Sequence, residues 1–230
     1  MKKFVSHLVI AVLIAASTLT FSVKDTSAQG AGLVSSILNR MDRNRRDLRS
    51  LRAGVKMEKF NAQIGDKDMY EGSVIYQPAQ RNANVRIDWQ RPQQETLAVS
   101  DGKYTLFRPR LNMAYEGNAN SEKNKVSGVL GFGLNVSGGE LKTRFDVQYL
   151  DERNLDGVVT AHLKLVPRGK AGYSYAEIWV DGSGMPVQSK VVERNNDSTT
   201  VRLQNIQRNA RVAANDFRLD LPGNVKRVRG

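Results

Sequence analysis

The side chains that usually carry enzyme chemistry are scarce in this chain of 230 residues. The sequence has no cysteine and two histidines, of which one, His162, lies beyond the first 28 residues. These counts exclude a cysteine nucleophile and the usual zinc ligand sets, and any Ser-His-Asp arrangement would depend on a single residue. Because His162 shares a strand face with Thr160 and Lys164, we expect it to be a solvated strand histidine.

Two glycine-rich motifs also lack the spacing of a known site. The run Gly128 to Gly133 is not a dinucleotide fingerprint, because it lacks that spacing and the flanking strand and helix. The run Asp181 to Gly184 resembles part of a calcium loop but lacks the further oxygen ligands, so a hairpin turn explains it better. We therefore expect no enzyme activity, no metal and no cofactor.

The N-terminus has the three parts of a secretory signal. Lys2 and Lys3 precede an apolar run from Leu8 to Leu19, and small residues end at Ala28. The apolar run is short for a membrane helix, which needs about 20 residues. We predict that residues 1–28 are a cleaved signal peptide, and that the exported chain is soluble and stabilised by its core without disulfides.

The segment from Leu33 to Leu51 is predicted to be an amphipathic helix. Its apolar residues fall on one helical stripe, and its other face is basic. The basic residues are Arg40, Arg43, Arg45, Arg46, Arg49 and Arg52. They are either a solvated helix face or a docking surface for an acidic partner, and we name Arg43, Arg46 and Arg49 as the docking candidates.

After Gly54 the apolar period changes from 3.6 to 2, which predicts strands. Turn residues such as Asp101-Gly102 and Asp156-Gly157 join most of the runs. Connections this short make neighbouring strands antiparallel. The strand-like runs are 55–60, 69–76, 85–90, 96–100, 104–107, 145–150, 158–166, 173–180, 185–193, 199–205 and 217–219.

The segment between about Leu111 and Leu141 interrupts this pattern. It is rich in glycine, asparagine and serine but contains an apolar cluster, which includes Val129, Leu130, Phe132 and Leu134. Each glycine weakens a helix by about 1 kcal/mol relative to alanine, so the segment should be marginally ordered. It is either a lid beside the apolar sheet face or an irregular loop that plugs the core.

The charge balance is strongly basic, with 35 lysines and arginines against 23 aspartates and glutamates. The formal net charge is +12. In an exported protein this favours anionic lipid headgroups, lipopolysaccharide or an acidic protein over nucleic acid, and the aromatic residues are not interleaved with the basic ones as base stacking requires. A basic surface that only maintains solubility is the alternative.

The order of these elements and motifs resembles the periplasmic outer-membrane lipoprotein carrier, the LolA-type family. The agreement includes Asp88-Trp89, Arg91-Pro92 and Val99 to Lys103 in the first half, and Ile178 to Asp181 and Leu221 to Val225 in the second. The resemblance implies an α+β fold: an incomplete, half-open antiparallel β-barrel of about eleven strands with helices forming a lid. It also implies a single domain over residues 29–230.

The resemblance further implies a monomeric periplasmic carrier, with an apolar cavity that shields lipoprotein acyl chains or related lipids. The donor would be an inner-membrane release complex and the recipient an outer-membrane acceptor. The expected cavity residues are Trp89, Leu97, Val99, Leu106, Phe107, Phe145 and Val147, and the expected lid residues are Val129, Leu130, Phe132 and Leu134. The alternative is a lipid-sensing or regulatory domain of the envelope stress-sensor type.

The sequence departs from the family pattern at one position. The well-known members have an arginine directly before the proline that closes the early strand pair, and that arginine holds the lid shut. This chain has Gln77 before Pro78. Arg81 and Arg86 are the candidates to replace the family arginine.

Overall fold

Two helices and twelve strands make up most of the described chain, which in this computed structural model comprises residues 26–79, 83–119, 134 and 136–229. The helices are α1 (Thr26–Asp47) and α2 (Gly138–Arg144). The strands are β1 (Leu51–Asn61), β2 (Asp66–Gln77), β3 (Asn84–Arg91), β4 (Glu95–Ser100), β5 (Lys103–Arg108), β6 (Met113–Asn118), β7 (Phe145–Leu155), β8 (Val158–Pro167), β9 (Tyr173–Asp181), β10 (Pro186–Glu193), β11 (Ser198–Arg208) and β12 (Lys226–Arg229). The predicted signal peptide lies almost entirely outside the described residues.

The strands form one open sheet in the order β12-β6-β5-β4-β3-β2-β1-β11-β10-β9-β8-β7. Strand β12 runs parallel to β6, and the other neighbouring pairs are antiparallel. The two outermost strands, β12 and β7, are not paired with each other, so the sheet does not close. The predicted α+β fold with a half-open antiparallel barrel is confirmed. Among the helices within the described ranges, none is long and apolar enough to cross a membrane.

The tight turns are those that the sequence predicts. Asp101 and Gly102 join β4 to β5 with positive φ values of 51° and 74°. Asp156 and Gly157 join β7 to β8 with φ values of 51° and 86°. Positive φ at both central residues matches the right-handed strand twist, and Asp-Gly adopts this geometry at low cost.

Several element boundaries differ from the prediction. The helix extends over Thr26–Asp47 rather than Leu33 to Leu51, and Leu51 instead begins β1. Strands β6 and β12 were not predicted, because neither has a run of alternating apolar residues and their pairing partners decide their conformation. The run 217–219 is not a strand, since Phe217 ends a 3₁₀ turn that spans Ala214–Phe217.

One face of the sheet is apolar across its width, and we call it the inner face. Directly paired residues share a face, so the row Met57, Val201, Ser189, Ile178 and Leu163 follows the inner face from β1 to β8. Helix α1 packs on the β7 to β9 part of this face. Its contribution consists of the buried residues Val34, Ile37, Leu38 and Met41, which repeat at helical spacing.

The other part of the inner face belongs to β1 to β5 and β11. Its buried cluster contains Val55, Val74, Ile87, Leu97 and Leu203. Alternate residues of these strands point to this face, because a strand has a period of two. The inner face therefore carries two apolar clusters, one under α1 and one beside it.

The chain after β11 forms a strap on the opposite, outer face. The carboxylate of Asp216 lies 2.7 Å from the Arg52 guanidinium, and Arg86 Nη1 donates to the carbonyls of Asp216 and Arg218 at 3.4 Å. The strap packs on β3 and β4 with Phe217, which is 1% exposed, and continues to β12 at the sheet edge. One aromatic side chain thus anchors the strap.

We predict that Phe217→Ala lowers the free energy of unfolding by about 3 to 5 kcal/mol, because it removes a fully buried ring and leaves a cavity. Urea unfolding followed by circular dichroism measures the change. The matched control is Leu111→Ala, since Leu111 is 58% exposed and its loss should cost less than about 0.5 kcal/mol. Equal, small effects of both substitutions would contradict the anchoring role of Phe217.

Candidate functional site

A cavity of about 570 Å³ opens on the inner face at one end of the sheet. It lies near the β1–β2, β3–β4 and β5–β6 connections, away from the residues that α1 covers. Its lining residues are Met57, Lys59, Tyr70, Trp89, Pro92, Gln93, Glu95, Leu97, Tyr104, Leu106, Arg108 and Leu111.

Strand alternation and register build the walls of this cavity. Leu97 on β4 pairs directly with Leu106 on β5, so their side chains are adjacent on the inner face. Met57 pairs in the same way with Tyr70. A glycine is required at Gly72, because a Cβ there would collide with the β3 backbone at the bulge that positions Trp89.

Aromatic rings and charged side chains surround the apolar residues of the cavity. The rings of Tyr70 and Trp89 meet edge to face with centroids 5.8 Å apart. Lys59 Nζ lies 4.9 Å from the Tyr70 centroid, and the Arg108 guanidinium lies 3.0 Å from the Glu95 carboxylate. Burial, together with the nearby carboxylates of Asp68 and Glu95, raises the pKa of Tyr70. The phenol therefore remains neutral at physiological pH and adds no charge to the wall.

This arrangement is suited to binding an apolar ligand that carries a polar end. Its volume falls within the range of about 300 to 1,000 Å³ that is typical of ligand sites. Leucine, methionine and aromatic side chains supply apolar surface, while Lys59, Glu95 and Arg108 supply polar groups. Within the parts of the chain that the structure describes, no group of three histidine, cysteine or carboxylate side chains could hold a metal ion.

The structure brings together four of the seven predicted cavity residues. Trp89, Leu97 and Leu106 line the cavity, and Val99 belongs to the same apolar cluster. Phe107 directly follows Leu106 in β5, so it points to the outer face.

The other two predicted cavity residues, Phe145 and Val147, lie in the cluster under α1. Phe145 is 3% exposed there, because α1 and α2 fill the space above β7. The division follows from the helix, which covers one part of the inner face and, among the described residues, does not reach the part that holds the cavity.

Of the four predicted lid residues, one, Leu134, belongs to the described residues. Leu134 is 6% exposed and packs in the cluster with Val55 and Leu97. Val129, Leu130 and Phe132 lie outside the described residues, so the lid remains a prediction.

Several residues at the site were not anticipated from the sequence. Met57 continues the alternation from Val55, and Tyr70 continues the alternation from Val74, so strand periodicity could have identified both. Helix α2 also had a signal, namely the capping box formed by Ser137 and Glu140. This helix is tied to α1 by a hydrogen bond of 2.8 Å from the Gly138 amide to Asp42 Oδ1.

The position where the family arginine would lie has a different arrangement. Gln77 Oε1 accepts a hydrogen bond of 3.4 Å from Asn84 Nδ2, which links β2 to β3. Arg86 lies on the outer face, where its guanidinium pairs with Asp88 at 2.9 Å, so it does not replace the family arginine. Arg81 lies outside the described residues.

The three docking candidates Arg43, Arg46 and Arg49 are exposed, as expected for the outward face of α1 and its C-terminal extension.

The run Asp181 to Gly184, which resembles part of a calcium loop in sequence, forms a hairpin turn. Asp181 Oδ1 accepts hydrogen bonds from the amides of Ser183 and Met185 at 2.8 and 2.9 Å. This turn joins β9 to β10.

The expectation of a solvated His162 is wrong. The side chain is buried, and its ring stacks on Trp179 with centroids 4.2 Å apart. Its two ring nitrogens lie 3.1 Å from Asp151 and 3.4 Å from Glu177. The strand pattern predicted the face correctly, but only the packing of β7 and β9 beside it determines that this part of the outer face is shielded.

Comparison with protein families identifies the class of protein. The family described as "Outer membrane lipoprotein carrier protein LolA" matches residues 75–220, which is more than half of the chain. This chain therefore belongs to the LolA family. A search of curated proteins finds no match.

Solved structures share the fold at low sequence identity. MucB aligns with a TM-score of 0.56 at 14% identity over 82% of this chain, which spans 63% of the MucB chain. An uncharacterized conserved protein from Thermus thermophilus gives 0.55 at 12% identity, covering 86% of this chain and 99% of the other. LprF from Mycobacterium bovis gives 0.51 at 11% identity, covering 85% and 99%. At these identities the likeness concerns the fold.

Tyr76, on the inner face of β2, should make stability depend on pH. Its side chain is 3% exposed, its hydroxyl has no hydrogen-bond partner among the described residues, and burial raises its pKa from 10.0 to about 12. The unfolded chain ionises first, so stability should fall as pH rises from 10 to 12. Two pKa units correspond to about 2 to 3 kcal/mol.

We predict that Tyr76→Phe loses less stability than the parent protein in this alkaline window, while its stability at pH 8 is unchanged or slightly higher. Urea unfolding at pH 8 and within the alkaline window measures the difference in stability between the two proteins. Parallel alkaline losses in the two proteins would show that Tyr76 does not contribute.

Proposed function

We propose that this protein is a periplasmic carrier that binds the acyl chains of lipoproteins, or of related lipids, in its inner-face cavity and moves them from the inner to the outer membrane. The observation that supports this most strongly is the apolar cavity between β1 and β5, with charged groups at its rim. Membership of the LolA family agrees with it.

The physical basis is the burial of apolar surface. Each square ångström of acyl chain removed from water contributes about 25 cal/mol, without any directional contact. A site of this kind needs walls such as Trp89, Leu97 and Leu106 rather than a nucleophile or an acid–base pair. We propose on the same grounds that the protein is not an enzyme.

The rest of the proposal concerns location and partners. The chain is taken to be exported by residues 1–28 and to act in the periplasm as a monomeric single domain over residues 29–230. Its lipid would come from an inner-membrane release complex and pass to an outer-membrane acceptor. The predicted lid, with Val129, Leu130, Phe132 and Leu134, would cover the bound chains.

A second candidate function is a lipid-sensing or regulatory domain. The observation in its favour is the arrangement at Gln77, which bonds to Asn84, while Arg86 points to the outer face. Without the family arginine at that position, lid control would differ from that of the well-known carriers. One relative of this fold, MucB, has been solved in complex with MucA(peri), at a TM-score of 0.50 and 14% identity.

The two tryptophans of the chain allow a direct test of where a lipid binds. Trp89 lines the cavity, and Trp179 lies on the opposite face against His162. We predict that a bromine-labelled fatty acid quenches the fluorescence of Trp179→Phe, which retains Trp89. The matched variant Trp89→Phe, which retains Trp179, should show little quenching. Titration monitored by fluorescence measures both.

A further pair of substitutions tests whether the cavity wall is required. Leu106→Lys places a charge inside the cavity, and Thr105→Lys places the same charge on the outer face of the same strand. The first should weaken fatty-acid binding by at least about tenfold, since desolvating a charge is costly, and the second should leave it unchanged. Equal affinity in both variants, or quenching of Trp179 instead of Trp89, would contradict the proposed site.

Release of cargo distinguishes the carrier from the sensor. We predict that the protein purified from periplasm carries a triacylated lipoprotein, and that outer-membrane vesicles remove it within minutes. Mass spectrometry of the protein before and after incubation measures the transfer, with protein-free liposomes as the control acceptor. A tightly retained free lipid, or a co-purifying regulator, would favour the sensor.

A further inference from the structure

Five exposed arginines belong to two segments that are distant in the chain and meet at one end of the sheet. Arg43 and Arg46 belong to α1, Arg49 follows it, and Arg208 and Arg211 end and follow β11. We call these five residues the arginine cluster. Asn44, next to Arg43 in α1, and Arg208 are separated by 164 positions in the sequence, yet the side chains of both reach the β9–β10 turn.

Hydrogen bonds fix the two segments against each other. The Arg49 amide donates to Asn209 Oδ1 at 2.8 Å, and Asn209 Nδ2 donates to the Asp47 carbonyl at 3.2 Å. Ser183 Oγ accepts from Asn44 Nδ2 at 3.5 Å and from Arg208 Nη1 at 3.3 Å. The guanidinium groups therefore lie on a rigid support rather than on a free chain end.

The arginine cluster lacks counterions in the part of the chain that the structure describes. None of its five members forms an ion pair with a carboxylate of the described residues. The favourable interaction of a cation with a helix C-terminus explains why Arg46 is placed in the last turn of α1. It does not explain the placement of Arg208 and Arg211, which lie outside the helix. Like charges held together on one surface create a positive potential that attracts an anionic partner.

The cavity end of the sheet has a mixture of paired and unpaired cations. Lys67 pairs with Glu58 at 3.3 Å and Arg108 pairs with Glu95 at 3.0 Å, whereas Lys59 and Arg110 form no ion pair among the described residues. In β1, Leu51 lies beside the arginine cluster and Met57 lies in the cavity wall, six positions apart. At about 3.3 Å per residue the separation is roughly 20 Å.

We propose that the arginine cluster is the docking surface for an acidic protein partner, and that the partner binds while the lipid cavity remains accessible. The inference rests on the proposed function in taking the cavity as the lipid site. A bilayer fits this surface less well, because a protein held on a membrane by the arginine cluster would point its cavity away from that membrane. A partner docked at this end leaves the cavity free to face a lipid donor or acceptor.

The test compares two variants of equal net charge. In the first, Arg43, Arg46, Arg49, Arg208 and Arg211 are replaced by glutamine. In the second, the exposed cations Lys103, Arg110, Lys170, Lys226 and Arg229, which form no ion pair among the described residues, are replaced by glutamine. The probe is a fluorescein-labelled polyglutamate peptide of about 20 residues, and its anisotropy is measured between about 20 and about 300 mM NaCl.

We expect the arginine-cluster variant to bind the peptide at least about tenfold more weakly at low salt, with a flatter salt dependence, and the control variant to lose less than about threefold. Saturation of the cavity with fatty acid, monitored by Trp89 quenching, should change the peptide affinity by less than about twofold. Vesicles of phosphatidylglycerol and phosphatidylcholine in equal parts should bind both variants equally. Thermal unfolding of both variants should match that of the parent, because exposed charges contribute little to stability.

Three results would overturn the proposal. Equal loss in both variants would mean that net charge alone attracts the peptide, and displacement of the peptide by fatty acid would mean that the two sites coincide. Selective loss of vesicle binding by the arginine-cluster variant would identify a membrane surface instead. Absence of Trp89 quenching would reject the proposed lipid site, and it would leave the comparison of the two variants interpretable.

Discussion

The packing of α1 against half of the inner face is the interaction on which the rest of the structure depends. The sheet presents apolar residues on one face across its width, from Leu106 on β5 to Leu163 on β8. An apolar face of this size must be covered, and α1 covers the β7 to β9 part with Ile37, Leu38 and Met41. Among the described residues, the cavity lies on the part between β1 and β5 that α1 does not cover. The position of this helix therefore decides which apolar residues are buried beneath it and which remain for the cavity wall.

The outer face is organised by a second constraint, the return of the chain from β11 to the far edge of the sheet. The strap that makes this return is anchored by Phe217 and by the Arg52–Asp216 ion pair. Its first residues also close the C-terminal end of α1 through Asn209. The hydrogen bonds of Asn209 thus bring the segment that carries Arg208 and Arg211 to the chain at Arg49. At this end of the molecule, the contacts that hold the strap in place also position the segment that carries the exposed arginines.

The scarcity of reactive side chains fits a protein that binds apolar ligands. Apolar burial is non-directional and depends on area, so it constrains the size and polarity of residues such as Met57 and Leu97 rather than their identity. This explains how chains with 11% to 14% identity to this one have similar folds. Under such constraints a family is recognised from the order of its elements more readily than from any single motif.

The sequence by itself determined the antiparallel sheet, its Asp-Gly turns and the amphipathic α1, because each follows from local periodicity and turn chemistry. It also assigned Trp89, Leu97 and Leu106 to one face, since alternation along a strand fixes the face. Alternation cannot say what lies above that face, so the sequence grouped Phe145 and Val147 with the cavity, whereas α1 and α2 bury them in a separate cluster. The burial of His162, the parallel pairing of β12 and the contact of Arg49 with Asn209 were likewise decided by tertiary structure, because each depends on contacts between segments that are distant in the chain.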